Sequence, residues 1–328
     1  MAVLAAGKPP QEWDAELGEL NADEVEIDTE VCALCHSDLH MIDNDWGISR
    51  YPLVPGHEIV GHVAAVGENV AGFDVGDRVG LGWQCGACGT CLTCRTARPH
   101  LCTGGKRKTC VDQFGGFAQR VRSHQGFVYP IPPSIRSEHA APLMCAGLTV
   151  FSALERHLSE SGMRVGVIGV GGLGHLAVQF AAKMGSTVVA FDVSAERLEL
   201  ARTLGADQAA IIDGHRRSGE LDLLISTTSA DLDWNTWLDH LAVGGTMCLL
   251  GYPSEAITIA ADRLLDGQKN LTGSVIGSPA TMHSMLAFAA EHRIVPMIER
   301  MPMTKANEAI TRLRKNDVRF RMVLDADL

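Results

Sequence analysis

The spacing Gly169-x-Gly171-x-x-Gly174 constrains this chain more than any other feature, because of what flanks it. An apolar, strand-like run at 164–168 leads into the glycines, and an apolar helix-like stretch follows at 173–184. A second strand-like run at 187–192 ends on Asp192, and a helix is expected at 195–204. The glycine spacing alone is a weak signal. Between a strand and a helix, with an acid closing the next strand, it is the setting of a dinucleotide-binding turn. The glycines permit a tight turn and close approach of a pyrophosphate, and the helix N-terminus offers free N–H groups and a favourable dipole. Further strands are expected at 221–226, 246–251 and 271–277. Strands alternating with helices predict a parallel sheet covered on both faces.

The preceding 140 residues have another texture. They are rich in Gly, Cys, His and Pro, with short strand-like runs at 24–31, 59–66, 77–82 and 116–122. This predicts a small, irregular β-rich domain. An apolar helix-like stretch at 138–157 joins the two regions. A tail from 279 carries helices at 280–291 and 305–315 and a strand at 319–324. A length of 328 residues suits about two domains.

The formal net charge of −11 argues against nucleic acid or an anionic membrane as a partner, since both repel an acidic chain. No apolar run approaches the ~20 residues of a membrane span, and residues 1–10 do not read as a secretory signal. A cytoplasmic, reducing setting is therefore expected. In such a setting ten clustered cysteines point to metal ligands or catalytic groups rather than disulfides.

Cys88, Cys91, Cys94 and Cys102 place four thiols within fifteen residues, enough to close a tetrahedral structural zinc site. Cys85 lies at the same spacing, so Cys85, Cys88 and Cys91 with Cys102 form an alternative set. An iron–sulfur cluster also takes four thiolates, though its common spacings differ. A second group comprises Cys35-His36-Ser37-Asp38-Leu39-His40 and Gly56-His57-Glu58. A catalytic zinc takes three protein ligands and keeps one position open. Cys35 and His57 leave one ligand to be found, and Cys145, on the apolar stretch 142–147, is a candidate.

Together these features resemble the zinc-dependent medium-chain alcohol dehydrogenases. Gly56-His57-Glu58-x2-Gly61-x5-Gly67-x2-Val70 has the form of that family's zinc signature, and Gly76-Asp77-Arg78-Val79 and the glycine turn follow in the expected order. The segments at 35–40 and 317–321 look most like the cinnamyl-alcohol-dehydrogenase and broad-range aldehyde-reductase branch. The resemblance implies a GroES-like β-rich catalytic domain (1–140 and 278–328) and a Rossmann, doubly wound parallel-sheet domain (141–277). It further implies two zinc ions per chain, a small-molecule alcohol or aldehyde as substrate, and a homodimer or homotetramer.

By the same resemblance Cys35, His57 and Cys145 are catalytic zinc ligands, Glu58 an adjacent group or occasional ligand, and Asp38 the carboxylate that orients His57. Cys88, Cys91, Cys94 and Cys102 become the structural zinc site. Ser37 and His40 carry the proton to solvent, and Trp46 and Trp83 line the substrate pocket. Gly169, Gly171, Gly172, Leu173 and Gly174 hold the pyrophosphate, with Thr149 near the nicotinamide and further cofactor contacts from the backbone around Ser226, Leu250 and Ile276. Arg321 is assigned to the pyrophosphate. Asp192 is expected to accept the adenosine ribose hydroxyls and repel a 2′-phosphate, which predicts NAD(H) over NADP(H), and Arg197, five residues on, is expected to reach the ribose as well. Many members of the branch carry small hydroxyl residues there.

Three departures qualify the match. Ala33 replaces a usual glycine, so the loop at Cys35 is expected to differ if that site needs φ > 0. Residues 7–19, rich in turn formers, are expected to leave part of the first strand unmade. The basic stretch 104–110 reads as a solvated loop. Two rival functions remain: a polyol or secondary-alcohol dehydrogenase, against which Cys145 argues, and a catalytically silent nucleotide-binding zinc protein.

Overall fold

A computed structural model describes residues 1–212 and 219–326. The chain divides into two compact units, one of Met1–Cys145 with Gly277–Leu328 and one of Ala146–Ile276. The first opens with β1 (Glu24–Leu34), α1 (His36–Asp43), β2 (Glu58–Val66), β3 (Arg78–Leu81) and β4 (Gln84–Gly86). It continues through the single turn α2 (Leu92–Arg95), β5 (Arg107–Lys108), β6 (Arg120–His124), β7 (Val128–Pro130) and α3 (Ser137–Pro142). The second unit holds α4 (Leu148–His157), β8 (Arg164–Ile168), α5 (Gly174–Lys183), β9 (Thr187–Asp192), α6 (Ala195–Thr203) and β10 (Gln208–Ile211). It ends with β11 (Leu221–Ser226), α7 (Trp234–Leu238), β12 (Leu241–Leu249), α8 (Asp262–Leu265) and β13 (Asn270–Gly273). The chain then returns to the first unit with α9 (Pro279–His292), β14 (Ile298–Pro302), α10 (Ala306–Arg314) and β15 (Arg321–Asp325).

The first unit is a mixed sheet in the order β14-β15-β1-β2-β3-β7, with β6 also pairing β1. Its core gathers Val25, Ile27, Ile59, Val63, Val79, Phe117 and Val121. Antiparallel pairing sets Ala33 opposite Glu58 and also opposite Val323. One end of the sheet therefore gathers the end of β1 and the starts of β2 and β15. Ala33 is an ordinary strand residue there, so the glycine expected at that position answers no need for positive φ. β1 is complete over eleven residues, while the segment before it forms no strand and makes only isolated bridges, from Ala2 to Gln11 and from Val3 to Leu53.

The second unit is a six-stranded parallel sheet in the order β10-β9-β8-β11-β12-β13. From β8 the chain winds outward one way through β9 and β10 and then the other way through β11, β12 and β13. The point of reversal between β8 and β11 is where a doubly wound sheet opens a crevice at its carboxyl edge. Val165, Val167, Leu223, Leu224 and Ile225 are buried, as strands covered on both faces require.

Several expected elements move, each for a local reason. The run at 116–122 becomes a strand only at Arg120, because Gly116 and Phe117 are spent on backbone bonds to Gly56 and Pro55. The expected strand at 246–251 starts earlier, at Leu241; Gly244 and Gly245 hide its beginning. The last parallel strand stops at Gly273 rather than 277. The helix at 138–157 is interrupted: Pro142 lacks an N–H, and a π-helical turn at Leu143–Gly147 separates α3 from α4. The basic stretch is not a solvated loop. Arg107 and Lys108 pair with β4, the Arg107 guanidinium bonds Glu24 at 3.0 Å, and Thr109 and Cys110 are buried.

Candidate metal centres and cofactor site

Cys88, Cys91, Cys94 and Cys102 bring their sulfurs together, and Cys85 is not among them. Four of the Sγ–Sγ separations are 3.5, 3.5, 3.9 and 3.9 Å. A tetrahedron of sulfurs 2.3 Å from one zinc has edges of about 3.8 Å. The quartet thus fits a single ion, whereas a cluster would interpose several irons and spread the sulfurs. Backbone N–H groups of Cys88 and Cys91 point at Cys102 Sγ and Cys88 Sγ, at 3.5 and 3.4 Å, and offset thiolate charge. The Thr93 hydroxyl helps hold the Cys91 thiol down to about 4. Cys85 lies in the apolar core instead, and burial pushes its thiol up to about 12.

The second cluster comprises Cys35, His57, Glu58 and Cys145, all with ligand atoms within 4.8 Å of one another. Cys35 caps α1 directly after β1, His57 and Glu58 open β2, and Cys145 sits on the π-helical turn. Asp38, in the first turn of α1, organises the group. Its Oδ2 accepts the Cys35 N–H at 2.9 Å, and its Oδ1 accepts the Gly56 N–H at 2.9 Å and bonds His57 Nδ1 at 2.8 Å. Gly56 is required there: at φ +97° a Cβ would lie 2.6 Å from Cys32 Sγ and 2.7 Å from Phe117.

With Nδ1 engaged by a carboxylate, His57 presents Nε2 as a lone-pair donor. That atom is buried and has no hydrogen-bond partner among the described residues. A hydrogen bond between the two sulfurs pulls Cys35 down and pushes Cys145 up. An orphaned imidazole nitrogen facing two thiols is the donor set of a zinc site with one position open. Burial drives the Glu58 carboxyl up to about 8, against the pull of Arg321, whose Nη2 lies 2.9 Å from Glu58 Oε1. Arg321 was expected at a pyrophosphate. The structure finds it 2% exposed, at the start of β15 and committed to Glu58.

The remaining expected groups of the first unit surround this cluster. Trp83 meets His57 edge-on at 5.0 Å, Trp46 meets Trp83 edge-on at 6.0 Å, and His40 stacks on Trp46 at 4.9 Å. Ser37 and His40 are three residues apart on α1 and so share a helix face. Sequence reasoning missed Asp45, whose Oδ2 holds His40 Nδ1 at 2.7 Å. It also missed Cys110, which gathers with Asp38 and His57 in a third buried group. An acid five residues after the histidine was the only available signal for Asp45, and nothing local pointed to Cys110.

In the second unit Gly169 has φ +84°, and a Cβ on Gly174 would lie 1.8 Å from Gly169 O. The turn therefore folds back tightly on the start of α5. A Cβ on Gly171 would meet nothing within 4 Å, so that residue faces an open cradle of the kind a pyrophosphate fills. Thr227, just beyond β11, ties the loop down by donating to Ile168 O and Gly169 O at 3.0 and 2.7 Å. Asp192, at the end of β9, accepts from Val170 N at 2.7 Å and Ser194 N at 2.9 Å, with Arg197 Nη1 3.9 Å away. Thr149 is buried on α4, and Ser226 Oγ is buried with no partner among the described residues. Leu250 follows β12, and Ile276 holds φ +37°, costly for a β-branched residue.

Comparison with known proteins agrees with this geometry. Residues 21–133 match the alcohol dehydrogenase GroES-like domain, and residues 172–291 the zinc-binding dehydrogenase domain. The chain is 43% identical to an aldehyde reductase of Synechocystis over 98% of its own length and 97% of the relative's. A cinnamyl alcohol dehydrogenase of Sorghum bicolor superposes with a TM-score of 0.93 at 37% identity, covering 99% of this chain and 96% of that one. A Helicobacter pylori homologue of the same type, solved with NADP(H), gives 0.92 at 29% identity over 99% and 96%.

Proposed function

This chain belongs to the zinc-dependent medium-chain alcohol dehydrogenases and is an alcohol/aldehyde oxidoreductase; on that premise we propose that it interconverts primary alcohols and aldehydes with NAD(H) in preference to NADP(H). The observation that carries the reading is His57: Asp38 occupies Nδ1 and leaves a buried Nε2 facing the Cys35 and Cys145 sulfurs. The first unit is the catalytic part and the second the dinucleotide-binding part. Cys35, His57 and Cys145 would hold the catalytic zinc, and Cys88, Cys91, Cys94 and Cys102 the structural one.

When bound, zinc supplies a Lewis acid toward the substrate oxygen, and the nicotinamide supplies the hydride acceptor or donor. The chain does the rest. Two thiolates and a neutral imidazole offset the ion's charge while Asp38 fixes the imidazole tautomer. Trp83 and Trp46 form an aromatic wall that excludes water and favours a small or flat substrate. The Ser37 hydroxyl takes the alcohol proton. His40 receives it at Nε2, because Asp45 keeps Nδ1 engaged.

The NAD(H) preference rests on Asp192, an acceptor-only group at the end of β9. Cys145 as third ligand favours this reading over a polyol dehydrogenase. The reading also includes a reducing, cytoplasmic setting, supported by ten unpaired thiols, and an assembly of two or four copies, supported by the edge position of β13. The test is steady-state oxidation of NADH and NADPH with primary aldehydes, ketones and polyols. Turnover confined to ketones or polyols, or a lower KM for NADPH at equal kcat, rejects it.

A further inference from the structure

We infer that Cys110 is a positioning residue for His57: its side chain braces the imidazole against rotation about the Asp38 hydrogen bond and so fixes the direction of Nε2. This rests on the reading of His57 as a metal ligand. Cys110, His57 and Asp38 each bring one polar atom within 4.8 Å of the others, and all three are buried. The hydrogen bond to Asp38 holds Nδ1 alone. That bond fixes one edge of the buried ring, and Trp83 meets the ring edge-on at 5.0 Å. The Cys110 sulfur, within 4.8 Å of a ring nitrogen and of a carboxylate oxygen, limits the ring from a further direction.

The backbone supports this role. Cys110 holds φ +62°, a left-handed conformation that a side chain with a Cβ disfavours and glycine accepts freely. The surrounding bonds impose it. Asp112 Oδ2 accepts the Lys108 N–H at 2.9 Å, and the Asp112 N–H bonds Lys108 O at 2.9 Å, closing a turn around the cysteine. On the other side the Thr109 N–H bonds Trp83 O at 2.9 Å, and its hydroxyl donates to Gly82 O at 2.7 Å. The segment that strains Cys110 is thus tied to the residue carrying the aromatic wall. A buried thiol kept where glycine would relax the chain is accounted for by what its sulfur touches. Cys110 is not a fourth ligand, since the close set is Cys35, His57, Glu58 and Cys145.

The test is chelator competition on the zinc-loaded full-length chain, with release followed by a metallochromic dye. Cys35→Ser identifies which of two release phases belongs to the His57 site. Cys110→Ala and Cys110→Gly are expected to release that zinc about tenfold faster, the low end for loss of an outer partner, while the cysteine-quartet phase stays unchanged. Cys110→Ser is expected to restore release to within a few-fold of the parent. Cys110→Gly is expected to melt no lower than the parent, which separates positioning from mere packing. Release at the parental rate in both the alanine and glycine variants overturns the brace alone. Two intact phases in Cys35→Ser overturn the ligand reading, and the brace with it.

Discussion

Asp192 Oδ2 accepts the Val170 N–H at 2.7 Å, so the acid that closes β9 also shapes the glycine turn after β8. The group proposed to choose the cofactor therefore supports the loop that cradles it. The parent enzyme is expected to favour NADH over NADPH by roughly 10–100-fold in kcat/KM, since a 2′-phosphate meets a fixed like charge. Asp192→Ser is expected to reduce that ratio at least about tenfold. It should also lower the melting temperature slightly, because Val170 loses its acceptor. Steady-state kinetics with both reduced cofactors and a thermal scan check the two effects.

The two metal sites should separate by mutation. Cys35→Ser is expected to remove one zinc per chain and lower turnover by roughly 10³-fold or more, given the several kcal/mol a Lewis acid supplies. Cys94→Ser is expected to remove the other zinc and lower the melting temperature, because the quartet closes the 88–102 loop. Metal analysis of each purified variant, beside its kcat, tests the assignment.

The bond between His40 and Asp45 predicts a pH-dependent defect. His40→Ala is expected to slow alcohol oxidation about 100-fold below neutral pH, where hydroxide cannot replace the lost acceptor, and less at pH 9. Exogenous imidazole should restore part of the rate. Asp45→Asn should give a smaller defect of the same sign. Rate–pH profiles of the parent and both variants check this.

Stability should depend on pH through Glu24. Burial raises its carboxyl, but the Asn21 amide and the Arg107 guanidinium more than offset this and leave it below the ordinary carboxylate range. A depressed acid stabilises the fold above its unfolded pKa of ~4.3 and loses that contribution as pH falls through the folded value. Arg107→Ala is expected to cost about 1–3 kcal/mol at pH 7. The difference from the parent should shrink toward pH 3, when the carboxyl is protonated in both. Urea titrations at several pH values read this out.

The parallel sheet was legible from residue order alone, because buried strands and amphipathic helices repeat with distinct periods. The strands at 187–192 and 221–226 appear with the bounds the sequence predicts. The β-rich unit was less legible. Gly116 bonds Gly56 some sixty residues earlier, and no local pattern encodes that. The two zinc groups were readable as residue types, but spacing alone did not choose Cys94 over Cys85; the family resemblance did, and the physical difference is the burial of Cys85 in the core. The Glu58 partner of Arg321 was illegible for a similar reason. Glu58 is 263 positions away, and register between β1, β2 and β15 alone brings the two together.

That register has a consequence for biosynthesis. β1 is translated early, yet its neighbour β15 emerges roughly three hundred codons later, after the whole of the intervening unit. The parallel sheet is contiguous and free to collapse on the ribosome. The sheet carrying Cys35 and His57 must wait, one flank unpaired, until residue 325 has left the tunnel. A chain cut short before β15 lacks the Arg321 guanidinium and leaves the buried Glu58 carboxyl without its cation.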